Sequence, residues 1–136
     1  MARYANDDYE LDPKGFEVEE QEDGVALMPP DGDGALLITA FVADAGDVTD
    51  EEIEEASAGG APEETLRDPV RCGEFRGFHA RFTDDDGAWR VWWLAAGGCH
   101  LHVTWNGEPD DAGRHDATVD AVLGTLRLAK KRKARP

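Results

Sequence analysis

Short runs of alternating apolar and polar positions, broken by clusters of glycine, proline and aspartate, make up most of this chain. In "GFEVEEQEDGVALMPPDGDGALLITAFVAD" the pattern predicts strands near 15–20, 25–29 and 34–43, with turns at Asp23 and Gly24 and at "PPDGDG". The third run is apolar on both sides of its alternation, with Leu37 and Phe41 on one and Leu36, Ile38 and Val42 mostly on the other. It predicts a strand covered from both faces.

The period changes at "DVTDEEIEEASAGG", which spells out a helix start. Thr49 is the N-cap, Glu52 its capping-box partner, Val48 a staple against Ile53, and Gly59 and Gly60 the end. The result is a short acidic helix over about 49–58 with a thin apolar stripe, mainly Ile53 and Ala56, which suits a lightly packed gate. Four more strands are predicted near 66–72, 74–83, 88–95 and 99–106, with Asp86 and Gly87 turning the hairpin between the second and third. Val119, Val122, Leu123 and Leu126 recur at helical spacing and predict a closing helix over about 110–128.

All four tryptophans fall within "AWRVWWLAAGGCHLHVTWN", residues 88–106. Alternation puts Trp89, Val91 and Trp93 on one face together with Phe78, Ala80 and Phe82 across the hairpin, and Arg90, Trp92 and Leu94 on the other. The next turn decides which set joins which. A two-residue loop at Gly97 and Gly98 sets Trp93 opposite His102; a three-residue loop that includes Ala96 brings Leu101, Val103 and Trp105 beside Trp93. The hydrophobic pattern favours the longer loop, because a slip of one residue reverses every side chain. Trp89, Trp93 and Trp105 are then core, and the opposite face collects His79, Arg81, Arg90, Trp92, His100, His102 and Thr104. Trp and Arg are enriched at binding hot spots, so this face is the candidate partner-binding surface and Trp92 its leading residue; the rival is a half-covered sheet face that only packs.

Composition narrows the functions. With 136 residues the chain fits one domain, taken as 1–128 followed by a basic tail, 129–136. The 30 acidic residues all precede that tail, which holds five of the 14 basic ones, so the body carries nine basic residues and a net charge of −21. Such a field repels phosphate backbones and attracts a basic protein, so no nucleic acid is expected as partner; a GC-rich or salt-adapted bacterial or archaeal source would explain it as well. No secretory signal or membrane-spanning run stands out, which points to a cytoplasmic protein with thiols at Cys72 and Cys99 and no membrane partner.

Catalytic patterns are wanting. Ser57 is the only serine and lies in the acidic helix, and no phosphate-binding glycine loop occurs. His100 and His102 form an H-x-H pair that could begin a zinc site, but the third ligand on offer, His79, is two strands away with Arg90 and Trp92 between. The expectation is no enzyme, no metal and no cofactor.

The order of elements resembles the PsbP-like α/β/α sandwich superfamily, which includes a Ran-binding nuclear-import factor and many small bacterial proteins. The resemblance covers about residues 11–128 and rests on "DPKGFEVEEQEDGVALMPPDGDGALLITA", the capped helix from Thr49, "GEFRGFHARFTDDDGAWRVWWLAAGGCHLHVTWN" and "VDAVLGTLRL". It implies an α+β fold with a central, mostly antiparallel sheet of six or seven strands, and a leaning towards non-catalytic binding, adaptor or immunity roles. The resulting expectation is a protein-binding module that uses Trp92, Arg90, His100, His102, His79 and Arg81. The alternatives are an acidic immunity protein that neutralises a basic toxin and a metal-dependent enzyme built on His100 and His102.

Overall fold

Alternation translates directly into strands in the computed structural model, which describes residues 4–6, 8–22, 24–30, 34–42, 49–58, 67–85, 87–107 and 116–128. Seven strands form one antiparallel sheet: β3 (Glu17–Gln21), β4 (Gly24–Met28), β5 (Ala35–Val42), β6 (Asp68–Cys72), β7 (Phe75–Asp84), β8 (Gly87–Ala96) and β9 (Cys99–Gly107). Their spatial order is β3-β4-β5-β9-β8-β7-β6. The sheet is thus two meanders, β3 to β5 and β6 to β9, joined by the pairing of β5 with β9 from Ala35 opposite Asn106 to Val42 opposite Cys99. Each strand lies within a few residues of its expected place, and the α+β class and strand number agree with the sequence expectation.

One face of the sheet carries α1 (Asp50–Ala58), the other α2 (Asp116–Leu123) and a small three-stranded sheet of β1 (Tyr4–Ala5), β2 (Tyr9–Leu11) and β10 (Arg127–Leu128). The larger core lies on the α2 side, where Leu27, Leu36, Ile38, Trp92, Leu94, Leu101 and Val103 meet Val119, Val122, Leu123 and Leu126 together with Tyr9 and Leu11. The smaller core, on the α1 side, joins Ile53 to Ala80, Val91, Trp93 and Ala95. The cap on α1 forms as its residue types dictate: the Glu52 amide donates to Thr49 Oγ1 at 3.1 Å and the Thr49 amide donates to Glu52 Oε1 at 3.2 Å. Among the described residues no helix is long and apolar enough to cross a membrane.

Three expectations need correction. The closing helix ends at Leu123, where Gly124 interrupts it; the Leu126 amide turns back on the Leu123 carbonyl at 3.1 Å and the chain enters β10, so Leu126 is core without being helical. The β7–β8 hairpin pairs Asp84 with Gly87, placing the loop one residue earlier than Asp86 and Gly87; the two-position slip preserves which residues share a face. The β8–β9 turn is the two-residue loop at Gly97 and Gly98, with Ala96 opposite Cys99 and Gly97 at φ 54, as a turn with glycine first requires. Val48, Gly59, Gly60, Asp86, the stretch 110–115 and the tail 129–136 lie outside the described residues.

Candidate functional site

That single turn redistributes the predicted site. His79 stands opposite Trp92 and Arg81 opposite Arg90, while Trp92 pairs with Val103, so these four residues face α2. His100 and His102 pair with Ala95 and Trp93 and face α1, together with Thr104. The six-residue surface expected from the sequence is therefore two separate groups, and the His79, His100, His102 trio is split by the thickness of the sheet. Apolar patterning could not choose the register because β8 is buried on both faces, from Arg90 to Ala96. Glycine geometry in the turn chose it instead.

The group facing α2 is a clamp. Arg90 is buried, its guanidinium 4.6 Å from the centroid of the Trp92 ring. Its Nε donates to His79 Nε2 at 3.0 Å, one terminal nitrogen to Asp120 at 2.8 Å and the other to Asp116 at 3.3 Å. Asp116 also accepts from Arg81 at 2.9 Å. Asp116 and Asp120 are four apart and so share one face of α2, and both carboxylates meet cations rooted in the sheet. The sequence reading missed these acceptors, although their i, i+4 spacing on a helix was a signal. Trp92, at 2% exposed, packs as core and presents no surface to a partner.

The clamp fixes the protonation of His79. Burial first, then the charges of Arg90 and Arg81, hold its pKa down to about 4, in keeping with a neutral ring that accepts through Nε2. Because the folded value lies below the ordinary 6.5, the unfolded chain takes up the proton first, so this contribution to stability is complete above about pH 6.5 and is lost as pH falls towards 4. His79 is only partly buried, so solvent screening reduces the contribution to about 1–2 kcal/mol. Urea unfolding at pH values above and below this window should show His79→Gln losing less stability on acidification than the parent; an equal loss would remove His79 from the account.

The group facing α1 borders an open half-face. α1 covers β7 and β8, leaving β5 beyond it with Leu37 42% and Phe41 54% exposed. Both were expected to be covered. Leu37 stands opposite Thr104, Thr39 opposite His102 and Phe41 opposite His100, so three cross-strand rows form one surface. The Phe41 and His100 rings lie 6.0 Å apart, and His102 leans on Trp93 at 6.4 Å. Glu19 enters the Leu37 row through Ala26, and exposed Glu52 of α1 lies near enough to act on His100, so acidic groups border the apolar patch.

Both cysteines are buried thiols outside any disulfide, and burial pushes the Cys72 thiol up to about 11, aided by Asp120. Among the described residues no group of three or more His, Cys, Asp or Glu side chains is placed to hold a metal.

No family model and no curated protein matches the sequence. Among solved structures, a crystal structure from Bacteroides thetaiotaomicron VPI-5482 is similar over 94% of this chain at 16% identity, with a TM-score of 0.64. The match takes up 47% of that protein, so this chain spans about half its length. The solution structure of cyanobacterial PsbP (CyanoP) from Synechocystis sp. PCC 6803 aligns over 93% of this chain and 91% of its own at 12% identity, with a TM-score of 0.45. At this identity the likeness to the Bacteroides protein is one of fold alone, and that fold is what the two chains share.

Proposed function

We propose that this chain is a non-catalytic protein-binding module whose docking surface is the open half-face over β5 and β9, and whose partner is a protein presenting an apolar knob ringed by lysine or arginine. The observation that carries this reading is the pair of large apolar side chains, Leu37 and Phe41, exposed on one strand face beside acidic groups. Exposed apolar clusters rimmed by charge are typical of interaction sites, and a net charge of −16 favours a basic partner over a second copy of the chain. The surface keeps His100 and His102 of the expected site and replaces Trp92 and Arg90 with Leu37 and Phe41. The buried thiols and the clamped His79 are engaged in packing and hydrogen bonding, which supports a binding role over a catalytic one.

The test is fluorescence anisotropy with a short synthetic peptide that alternates leucine and lysine, and its leucine–glutamate counterpart. The basic peptide should bind and the acidic one should not. Phe41→Asp adds a negative charge, so attraction by charge alone would strengthen binding; docking on the apolar patch predicts about a tenfold weakening, the scale of burying half an aromatic side chain. Strengthened or unchanged binding would dismiss the surface.

A further inference from the structure

The histidines of β9 line the proposed docking surface opposite Thr39 and Phe41, and their surroundings give it a dependence on acidity. We infer that His100 and His102 make docking of a basic partner conditional on pH, permitting it when both rings are neutral and opposing it once they take up protons. The inference rests on the proposed docking surface and adds its regulation. Its basis is position: two residues apart on one strand, the rings project to the same side, one against Phe41 and the other between Thr39 and Trp93.

Among the described residues, few groups stand ready to receive a new positive charge here. Thr39 and Phe41 face the pair from β5, and Trp93 and Ala95 from β8; none of these is charged. Arg76 on β7 continues the row of His100 and Ala95, and the Arg67 guanidinium lies 5.7 Å from the centroid of the Trp93 ring, so two of the nearby charges are positive. Among the described residues, Glu52 on α1 is the acidic side chain whose charge is felt at His100, and it is already engaged in the cap of Thr49. His100 Nε2 is buried without a hydrogen-bond partner among the described residues, so a proton placed there has no acceptor.

The direction follows from burial. Desolvation holds both rings below the ordinary histidine range, and at His100 the neighbouring His102 lowers it further while Glu52 opposes. Both are therefore neutral near pH 7. A partner seated on the face desolvates them again and meets them with its own lysines or arginines, which favours the neutral form still more. By linkage, docking releases protons whenever the free protein holds them, and affinity falls as pH drops below the histidine range.

The leucine–lysine peptide used above serves as probe, with anisotropy titrations at about pH 7.5 and about pH 5.5, a span over which lysine does not titrate. The parent is expected to lose about tenfold in affinity between the two, whereas the double variant His100→Gln, His102→Gln should hold its affinity within about twofold and each single variant should fall between. Tryptophan fluorescence of every variant checks that the sheet is intact. Equal affinity of the parent at both pH values overturns the switch and leaves the docking surface standing. An equal acid loss in the double variant also overturns it, by moving the effect to the carboxylates. A peptide that binds at neither pH overturns the docking surface and the switch together.

Discussion

Trp92→Ala is expected to destabilise the protein by about 3–5 kcal/mol, the range for truncating a large aromatic in a packed core. Trp92 is among the largest fully buried side chains, with the His79 ring at 5.0 Å and the Arg90 guanidinium at 4.6 Å from its own ring on the face that receives α2. Deleting the indole opens a cavity and removes the apolar wall against which the Arg90 charge is held, so both the packing and the clamp suffer. Trp92→Phe keeps part of that wall and should lose about half as much. Equilibrium unfolding in urea measures both, and a loss below about 1 kcal/mol for the alanine variant would contradict the burial assigned to this side chain.

Arg90→Ala is expected to be nearly as damaging, about 3 kcal/mol, because it strands the groups the guanidinium satisfies. His79 loses its donor and Asp120 its only ion-pair partner among the described residues; Asp116 retains Arg81. Asp120 is more than half exposed and can turn to water, which keeps the loss at the lower end of the range for broken buried pairs. Arg90→Lys should recover little, since an ammonium cannot donate to a ring nitrogen and two carboxylates in one plane. A double-mutant cycle with Asp120→Asn isolates the link to α2, and a coupling near zero would mean that the helix is held by its apolar face alone. Hydrogen exchange in α2 should quicken in Arg90→Ala before exchange in the central strands does.

Most of the architecture could be read from the chain because each strand is short, alternating and bounded by turn residues, and because the α1 cap follows from Thr49 and Glu52 alone. The N-terminal strands and β10 could not. Tyr4–Ala5 and Arg127–Leu128 are two residues each, too brief for any period to register, and exist through their pairing with Tyr9–Leu11. The site was half legible for a related reason. Patterning fixes register where one face is dry and the other wet, but β8 is apolar on both, so Trp92 and Trp93 are equally suited to either side. Leu37 and Phe41 were placed correctly on one face of β5; what the pattern could not say is that α1 packs mainly over β7 and β8.

The pairing of β5 with β9 has a kinetic meaning. Each meander closes through hairpins a few residues apart, whereas this junction must bring together segments separated by α1 and three strands, so within the seven-stranded sheet the entropy of loop closure falls mainly on it. Leu37 and Phe41 come from one side of the junction and His100 and His102 from the other. The proposed docking surface therefore draws one half from each meander, and the loop-closure cost of the β5–β9 junction is also the cost of assembling it.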